Sequence, residues 1–369
     1  MNAGGGVRAQ SVEEACLTLV YLLHNRRREW ALGQHNADEL GHIKRNMLIA
    51  DYARKALDLP VEVRQDLDRM VVESFLPPHP TAPWRGPVMP PPPPEPEPVD
   101  VAVVVVIIEE LDAALGTFGM TQDDFNRDAF VGDQRFFPTR VPNRYRPEEP
   151  LSVVVTSAGR SGNVQMVKSV DALLKLYEPE LIGLLGTACG VPEAVRIGDV
   201  VACDRVYYFP PGRRLPGKIF QPRPKHGQGR SDYGHGLHYY NPARTDYASR
   251  VREFVRGLSP AEVPETFSAA RIPDVHTTGV TIASGEEVLR DGELLPGLRE
   301  VDNTICAGDM ESYGFSQAAE GLPWLIFRGI SDFGPGREER WKYVSTSFAA
   351  LCLEDFLRTR YLPPGADDL

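Results

Sequence analysis

The chain has 369 residues, of which 42% are hydrophobic and 25% are charged, a composition typical of globular proteins with a buried core. This length allows one large domain together with a smaller one. The formal net charge of −11 argues against binding to nucleic acid or to an anionic membrane through bulk charge. The longest apolar run, residues 101–108, is far shorter than the roughly 20 residues that a membrane-spanning helix needs.

The N-terminus and the cysteines both indicate a cytoplasmic protein. The first ten residues are small and polar and contain no apolar stretch of the kind found in secretory signals. The five cysteines are scattered along the chain, without a C-x-x-C pair or the spacing of a metal site, which is typical of reduced thiols.

Residues 1–76 are predicted to form a helical N-terminal module. A capping box at Ser11–Glu14 precedes an apolar run with helical spacing, and two further runs of this kind extend to residue 75. Because so short a helical segment buries little surface alone, we expect residues 11–76 to contact a protein partner or a second copy of the module.

Residues 77–98 form a predicted proline-rich linker. Twelve of these residues are prolines, which can neither continue a helix nor donate to a sheet. An extended, semi-rigid polyproline spacer is expected. A passive tether explains the segment more simply than a ligand for an SH3-type partner.

Residues 99–369 are predicted to form an α/β domain. The predicted strands are residues 101–107, 151–156, 181–185, 199–202, 280–283 and 324–327, and the clearest helical runs are 164–176 and 312–320. The first strand is a continuous β-branched run, typical of a strand buried on both faces. Strands that alternate with helices predict a mostly parallel sheet covered on both sides.

Four segments of this domain contain residue types that bind or act on small molecules. Residues 157–163 (SAGRSGN) and 184–190 (LLGTACG) are small-residue segments where the backbone can approach a flat ligand closely. Residues 308–313 (GDMESY) place a methionine beside a carboxylate, a combination that suits a flat ring next to a diol. In residues 325–336 (LIFRGISDFGPG) an acid ends a buried strand, where open α/β sheets bind ligands. Taken alone, each segment is explained as well or better as a turn, a core methionine or a capping acid.

Taken together and in order, G-T-A-C-G, R-I-G-D-V, S-G-E-E, D-M-E and R-G-I-S-D resemble the nucleoside phosphorylase/nucleosidase superfamily. The most similar members are the methylthioadenosine/S-adenosylhomocysteine nucleosidases, and the resemblance covers residues 101–356. It implies a three-layer α/β/α fold with a mostly parallel mixed sheet, cleavage of the N-glycosidic bond of a purine nucleoside or nucleotide, no cofactor, and a homodimer.

The resemblance also implies roles for residues near the ends of two strands. Asp332 matches the catalytic acid, which protonates N7 of the purine, because a departing purine anion is otherwise a poor leaving group. Glu311 matches the carboxylate that holds the ribose hydroxyls, and Met310 matches the residue packed under sugar and base. Asp309 precedes them and is expected to contribute to the same substrate-binding segment.

Two small-residue segments are implied to contact the base. Thr187, Ala188 and Cys189 match the segment that touches the base and the site of the nucleophile. Ser284 and Gly285 match the turn beside the base.

The carboxylate that activates water stays open among three residues. In the nucleosidases this group follows the first strand, where Glu109, Glu110 and Asp112 all lie in this chain. An ungapped reading of the strand favours Asp112, and another register favours Glu110.

The chain departs from the family pattern in two respects. Val288 stands where the nucleosidases place an aromatic residue that stacks on the base, which weakens the expectation of a methylthioadenosine substrate. The arginines that bind phosphate in the phosphorylases are absent, since residues 101–120 contain no Arg or Lys and Leu184 stands near the second arginine position. Water is therefore predicted to be the nucleophile rather than phosphate.

The loop at residues 210–240, between the predicted strands 199–202 and 280–283, contains a basic cluster. Residues 213–230 contain six Lys or Arg residues and no acid, so Arg213 and Arg214 are candidates for binding the phosphates of a nucleotide. The alternative is a solvated loop without a ligand. Three histidines lie in the same loop, His226, His235 and His238. Flanking glycines and the lack of a partner motif argue against a metal there.

The sequence thus predicts a purine nucleosidase, with adenine as the expected base, that acts on a small-molecule nucleoside or nucleotide. A helical module joined by a proline tether resembles the layout of bacterial conflict effectors, which predicts a nucleotide-depleting antiviral role. A phosphate-dependent purine nucleoside phosphorylase and an inactive nucleotide-binding signalling module are the alternatives.

Overall fold

The computed structural model describes residues 95–126, 130–131, 133–214, 220–230, 236–268 and 271–363. The helical module predicted for residues 1–76 and most of the predicted linker lie outside the described residues, and both stay predictions. Strand β1 (Glu97–Val105) begins within the last two residues predicted as linker. Pro98 is accommodated because it lies at the start of the strand. Within the described ranges, no helix is long and apolar enough to cross a membrane.

The remaining strands are β2 (Phe130–Val131), β3 (Gln134–Asn143), β4 (Arg146–Ser157), β5 (Tyr177–Gly190), β6 (Val200–Cys203), β7 (Arg205–Tyr208), β8 (Gly212–Arg214), β9 (Phe220–Pro222), β10 (Lys225–Gln228), β11 (Val275–His276), β12 (Thr281–Ser284), β13 (Ile305–Asp309) and β14 (Trp324–Asp332). The helices are α1 (Ile108–Thr117), α2 (Asn163–Leu174), α3 (Tyr247–Gly257), α4 (Leu294–Val301), α5 (Ser312–Ala318) and α6 (Arg340–Thr359), with a short 3-10 helix at Pro242–Arg244.

The main sheet is mixed, and the strand pairs at its centre are parallel. Its order is β10-β7-β12-β13-β5-β1-β4-β3-β2, with β14 between β5 and β6, and β11 beside β6. The long strand β5 runs parallel to both β1 and β14, and past the end of β1 it pairs antiparallel with β13. The carboxyl ends of β1, β5 and β14 therefore meet at one edge of the sheet.

Helices cover both faces of the sheet, which confirms the predicted three-layer α/β/α fold. Alternate residues of β1 enter different cores: Val101, Val103 and Val105 face one side, where α1 and α6 pack, and Ala102 and Val104 face the other. Helices α2 and α5 pack on that second side. The continuous β-branched run follows from this arrangement, since a strand covered on both faces needs apolar residues at every position.

The structure adds to the predicted elements the strands β2, β3, β7–β11 and β13 and the helices α1, α3, α4 and α6, and it extends β5. The G-T-A-C-G segment, predicted as a turn after a strand ending at residue 185, continues β5 to Gly190. The small residues fit there because β13 and β14 both pair with this part of the strand. Helix α6 was not predicted, because it is buried along almost its whole length and lacks the polar face of an amphipathic helix.

Candidate active site

A cavity of about 130 Å³ lies at the edge where β1, β5 and β14 end. Its walls include residues 106–107 after β1, Glu110 in α1, residues 187–189 of β5, residues 308–311 at the end of β13 and residues 331–332 of β14. Ligands bind at this edge in open α/β sheets, because the loops that follow parallel strands converge there. Four segments that are distant in the sequence therefore meet around one small volume.

Asp332 is the last residue of β14, and its carboxyl is held in a fixed orientation. The Ser331 hydroxyl donates to Oδ2 at 2.8 Å, and the Gly334 amide donates to Oδ1 at 2.9 Å. The Arg337 Nε lies 3.7 Å from Oδ2. Burial, and then the neighbouring charge of Asp332, raise the pKa of the Cys189 thiol to about 12. The thiol therefore stays protonated at neutral pH, so it contributes no negative charge beside the acid.

Glu110 is buried where α1 begins and connects the ends of two strands. Its Oε2 accepts the amides of Val106 at 3.0 Å and Ile107 at 3.4 Å. Its Oε1 accepts both the amide and the hydroxyl of Thr187, at 2.8 and 3.0 Å. A carboxylate near a helix N-terminus is also favoured by the helix dipole. The carboxylate is thus anchored in the cavity by four donors.

The structure does not bring Asp112 or Glu109 into the cavity. Both are exposed, and Asp112 Oδ1 instead accepts the Gln122 side-chain amide at 2.6 Å. Side chains two residues apart point to opposite sides of a helix, so Glu110 and Asp112 cannot share one wall. The register that favours Glu110 is the one that matches the geometry.

A fully buried arginine lies behind the cavity and forms ion pairs with two of its acids. Arg328 Nε and Nη2 both donate to Asp309 Oδ2, at 2.9 and 2.6 Å, and Nη2 lies 3.5 Å from Glu311 Oε2. Although burial opposes its charge, the carboxylates of Asp309, Glu110 and Glu311 raise the pKa of Arg328. Its Nη1 is buried and has no hydrogen-bond partner among the described residues.

Gly186 makes room for this arrangement. A Cβ at Gly186 would lie 2.4 Å from Arg328 Nη1 and 2.6 Å from Glu110 Oε1. Real carbon atoms do not approach so closely, so only glycine lets the guanidinium and the carboxylate meet behind β5.

Glu311 is buried at the start of α5 and accepts the Gly162 amide at Oε1, 2.9 Å away. Burial, followed by the negative charge of Asp309, raises the pKa of Glu311 to about 7, although Arg328 acts in the opposite direction. Glu311 is therefore held between its neutral and ionised forms near neutral pH.

Asn163 joins three of the segments that the sequence singled out. Its Oδ1 accepts the Gly314 amide at 2.6 Å and the Ser284 hydroxyl at 3.4 Å, and its Nδ2 donates to the Gly285 carbonyl at 2.8 Å. The Ser284 hydroxyl in turn accepts the Tyr313 amide at 3.1 Å. Ser284 and Gly285 thus support the cavity wall from behind rather than lining it.

The structure brings most of the predicted site residues together. The cavity is lined by Glu110, Thr187, Ala188, Cys189, Val288, Asp309, Met310, Glu311 and Asp332. Arg213 and Arg214 belong to β8, but their side chains lie outside the described residues. In the part of the chain that the structure describes, no group of three His, Cys, Asp or Glu side chains could hold a metal ion.

Sequence reasoning missed three residues that organise the site: Asn163, Gly186 and Arg328. An arginine within the apolar strand Trp324–Asp332 was a usable signal, because a buried charge needs an acidic partner. Asn163 and Gly186 lie in segments that the sequence singled out, but only the three-dimensional contacts show what each of them joins.

The chain is similar to proteins of known family. The model of the phosphorylase superfamily matches residues 143–356. ATP nucleosidase Cap17 from Escherichia coli (strain KTE188) is 31% identical over 253 residues, which cover 68% of this chain and 49% of that protein. The chain thus spans about half the length of the curated relatives it matches.

Solved structures with a similar chain include S-adenosylhomocysteine nucleosidase from Streptococcus pyogenes (TM-score 0.49, 16% identity, 70% of this chain and 96% of that chain). Futalosine hydrolase of Helicobacter pylori strain 26695 has a TM-score of 0.48 and 14% identity, over 70% of this chain and 97% of that chain.

Proposed function

Since the chain belongs to the phosphorylase superfamily, we propose that its α/β domain hydrolyses the N-glycosidic bond of a purine nucleoside or nucleotide. The observation that carries this proposal is one cavity in which Asp332 and Glu110 are both anchored and Glu311 lies beside them. The leaving base, the sugar and the attacking water each need a polar group, and these three carboxyls supply one for each.

Asp332 is proposed to donate a proton to N7 of the departing purine. The hydrogen bonds from Ser331 and Gly334 hold both carboxyl oxygens, so the acid keeps one orientation toward a base in the cavity. A correctly oriented general acid contributes roughly 10²- to 10⁴-fold to such a reaction. The neutral Cys189 thiol beside it adds no negative charge at this end of the cavity.

Glu311 is proposed to accept hydrogen bonds from the ribose hydroxyls, with Met310 packed against the sugar. When ionised, it also stabilises the positive charge that develops on the sugar as the bond to the base breaks. Because hydrogen bonds donated by the ribose hydroxyls favour the ionised form, substrate binding is proposed to lower the pKa of Glu311 from its value of about 7.

Glu110 is proposed to orient and deprotonate the attacking water. Val106, Ile107 and Thr187 all donate hydrogen bonds to it, which hold the carboxyl group in one orientation at the cavity wall. Arg328, buried behind Glu110, adds a positive charge close to this carboxylate without reaching the cavity itself.

The charge of the cavity favours water over phosphate as the nucleophile. Five acids line it, Glu110, Glu287, Asp309, Glu311 and Asp332. Among the described lining residues Arg337 is the one cation. An anion such as phosphate would have to approach these carboxylates without the paired arginines that usually bind it.

Two measurements test this function. Purified full-length chain is incubated with adenosine, methylthioadenosine, AMP, ATP and inosine, with and without phosphate, and free base is quantified. Release of base and free ribose without phosphate supports hydrolysis, whereas strict phosphate dependence would identify a phosphorylase. Asp332→Asn should lower base release by roughly 10³-fold. An unchanged rate would remove Asp332 from the mechanism, and no turnover by the unaltered chain would favour a binding module.

We propose more specifically that the substrate is an adenine nucleotide. The supporting observations are the relative named as an ATP nucleosidase, the absence of a stacking aromatic at Val288, and the two arginines Arg213 and Arg214. Replacing both arginines with glutamine should reduce turnover of ATP more than turnover of adenosine. Equal reductions would exclude phosphate recognition by this pair.

We also propose that the protein acts in the cytoplasm as a homodimer and depletes nucleotides in antiviral defence after residues 11–76 bind a partner. The support is the similarity to an ATP nucleosidase together with the predicted module and linker. Light scattering on the full chain tests the dimer. Nucleotide levels in cells that produce the chain, compared with cells that produce Asp332→Asn, test the depletion.

A further inference from the structure

One acid of the candidate active site has no part in the mechanism proposed above. Glu287 lies in the loop after β12, borders the cavity and is exposed. Four other acids border the cavity, and each of them accepts hydrogen bonds within the protein: Glu110, Asp309, Glu311 and Asp332. Among the described residues, no donor and no cation is bound to Glu287. Its carboxylate oxygens are therefore free to accept hydrogen bonds from a ligand.

The preceding acid has a different environment. Glu286 Oε1 accepts the Tyr208 hydroxyl at 2.8 Å and the Asn163 side-chain amide at 3.0 Å, and Glu286 does not border the cavity. Contacts within the protein thus hold Glu286, while Glu287 is left to the cavity. Because the two acids are adjacent and of the same type, comparing them separates an effect on a ligand from a general effect of charge in this loop.

The loop that carries these two acids joins the ends of the cavity. At its start the Gly285 amide donates to the Asp309 carbonyl at 2.9 Å, next to the proposed sugar site. Farther along, the Leu289 carbonyl packs against Gly334, where an added Cβ would lie 3.4 Å from the carbonyl oxygen. The Gly334 amide in turn donates to Asp332 Oδ1 at 2.9 Å. The loop therefore extends from the sugar site to the proposed proton donor and lies beside that donor.

The proposed proton donor determines which edge of a purine lies near this loop. N7 and the substituent on C6 share one edge of the ring, so a base with N7 at Asp332 directs that substituent toward the neighbouring residues of the cavity wall. In adenine the substituent is an amino group, which donates hydrogen bonds, whereas in guanine and hypoxanthine it is an oxygen, which only accepts them. A carboxylate accepts hydrogen bonds and cannot donate them. Glu287 therefore complements adenine and opposes a 6-oxopurine.

We propose that Glu287 selects a 6-aminopurine as the base by accepting a hydrogen bond from its exocyclic amino group. This selection rests on the proposed function, because it takes Asp332 as the group at N7. A hydrogen bond to a charged group is stronger than one between neutral groups, and an oxygen in place of the amino group adds repulsion. Removal of the amino group should therefore lower kcat/KM roughly 10- to 100-fold, and its replacement by oxygen should lower kcat/KM further.

Substrates that differ only at C6 test the proposal. Base release by the full chain is measured with adenosine, with purine riboside, which carries hydrogen at C6, and with inosine, which carries oxygen there. In Glu287→Ala, kcat/KM for adenosine should fall to about that for purine riboside, while kcat/KM for purine riboside should change less than about twofold. Glu287→Gln, whose amide can donate to the oxygen on C6, should raise kcat/KM for inosine relative to adenosine.

The ratio of adenosine to purine riboside turnover is the decisive quantity, because a general loss of structure lowers both rates and leaves their ratio unchanged. Glu286→Gln is the matched control and should keep the ratio of the unaltered chain. The same ratio in Glu287→Ala would overturn the inference while the proposed function stands.

The inference can also be decided without turnover. If the unaltered chain released no base from any of the three nucleosides, the proposed function would be refuted, and equilibrium dialysis with free adenine and free purine would then test Glu287 alone. The unaltered chain should bind adenine at least about tenfold more tightly than purine, and Glu287→Ala should bind both alike. An unaltered chain without this preference, or a Glu287→Ala chain that keeps it, would overturn the inference.

Discussion

The buried carboxyl of Glu311 should make the stability of the α/β domain depend on pH. Its pKa is about 7 in the folded chain against an ordinary value of 4.5. Below pH 4.5 the Glu311 carboxyl is protonated in both the folded and the unfolded chain. The stability that its protonated form gives to the folded chain is then fully present. As the pH rises through 7, the unfolded chain has already released this proton while the folded chain must ionise a buried group, so that contribution is lost.

The size of this effect follows from the difference in pKa. Each pH unit corresponds to about 1.4 kcal/mol, so full ionisation removes roughly 3 kcal/mol. Glu311→Gln keeps the shape of the neutral side chain and cannot ionise. Relative to the unaltered chain, this variant should therefore gain roughly 3 kcal/mol between pH 4.5 and pH 8, about 6–12 °C in melting temperature for a domain of this size. A change in stability that the amide of Glu311→Gln causes equally at both pH values cancels, because only the change between pH 4.5 and pH 8 is compared.

Thermal and denaturant unfolding of both chains across this pH range measure the difference. Glu320→Gln, which alters an exposed glutamate just after α5, is the matched control and should leave the pH dependence unchanged. Parallel stability curves for Glu311→Gln and the unaltered chain would refute the reasoning, because burial of Glu311 beside Asp309 would then impose no cost on its ionised form.

Three further substitutions test the interior of the site. Glu110→Gln should lower base release by about 10²- to 10⁴-fold, whereas Asp112→Asn should change it less than about twofold, and equal effects would contradict the role proposed for Glu110. Gly186→Ala should destabilise the domain by about 1–3 kcal/mol and reduce turnover, because its Cβ would overlap Arg328 and Glu110; an unchanged melting temperature would count against this close approach. Arg328→Met should cost about 3–5 kcal/mol by leaving buried carboxylates without their counter-charge, and a loss below about 1 kcal/mol would mean that water reaches them.

The sequence predicted the central layers well because their pattern depends on local composition. The β-branched run of β1 is apolar at every position for a simple reason, namely that helices cover both faces of the sheet. Asp332 was placed correctly at the end of its strand because a single acid after a buried run is a conspicuous change in composition. Helix α6 and the extension of β5 were harder to predict, since burial on all sides removes the periodicity that identifies an element.

The three acids after β1 show that sequence patterns also could not determine which side chain enters the site. Glu109, Glu110 and Asp112 are chemically alike and close in sequence, so composition could not separate them. Only the position where α1 begins decides which side chain faces Thr187, and sequence patterns locate helix ends least reliably. The pairing of Arg328 with Asp309 likewise joins residues 19 positions apart on different strands.

The contacts of Asn163 have a consequence for how chains of this fold diverge. One amide side chain sets the distances among the loop before α2, the turn after β12 and the start of α5. A Cβ at Gly314 would lie 2.2 Å from the Asn163 carbonyl oxygen, so the two helices also leave no space for a larger residue there. A substitution in any one of these three segments is therefore constrained by the other two, and related sequences should show correlated changes at positions 163, 284 and 314.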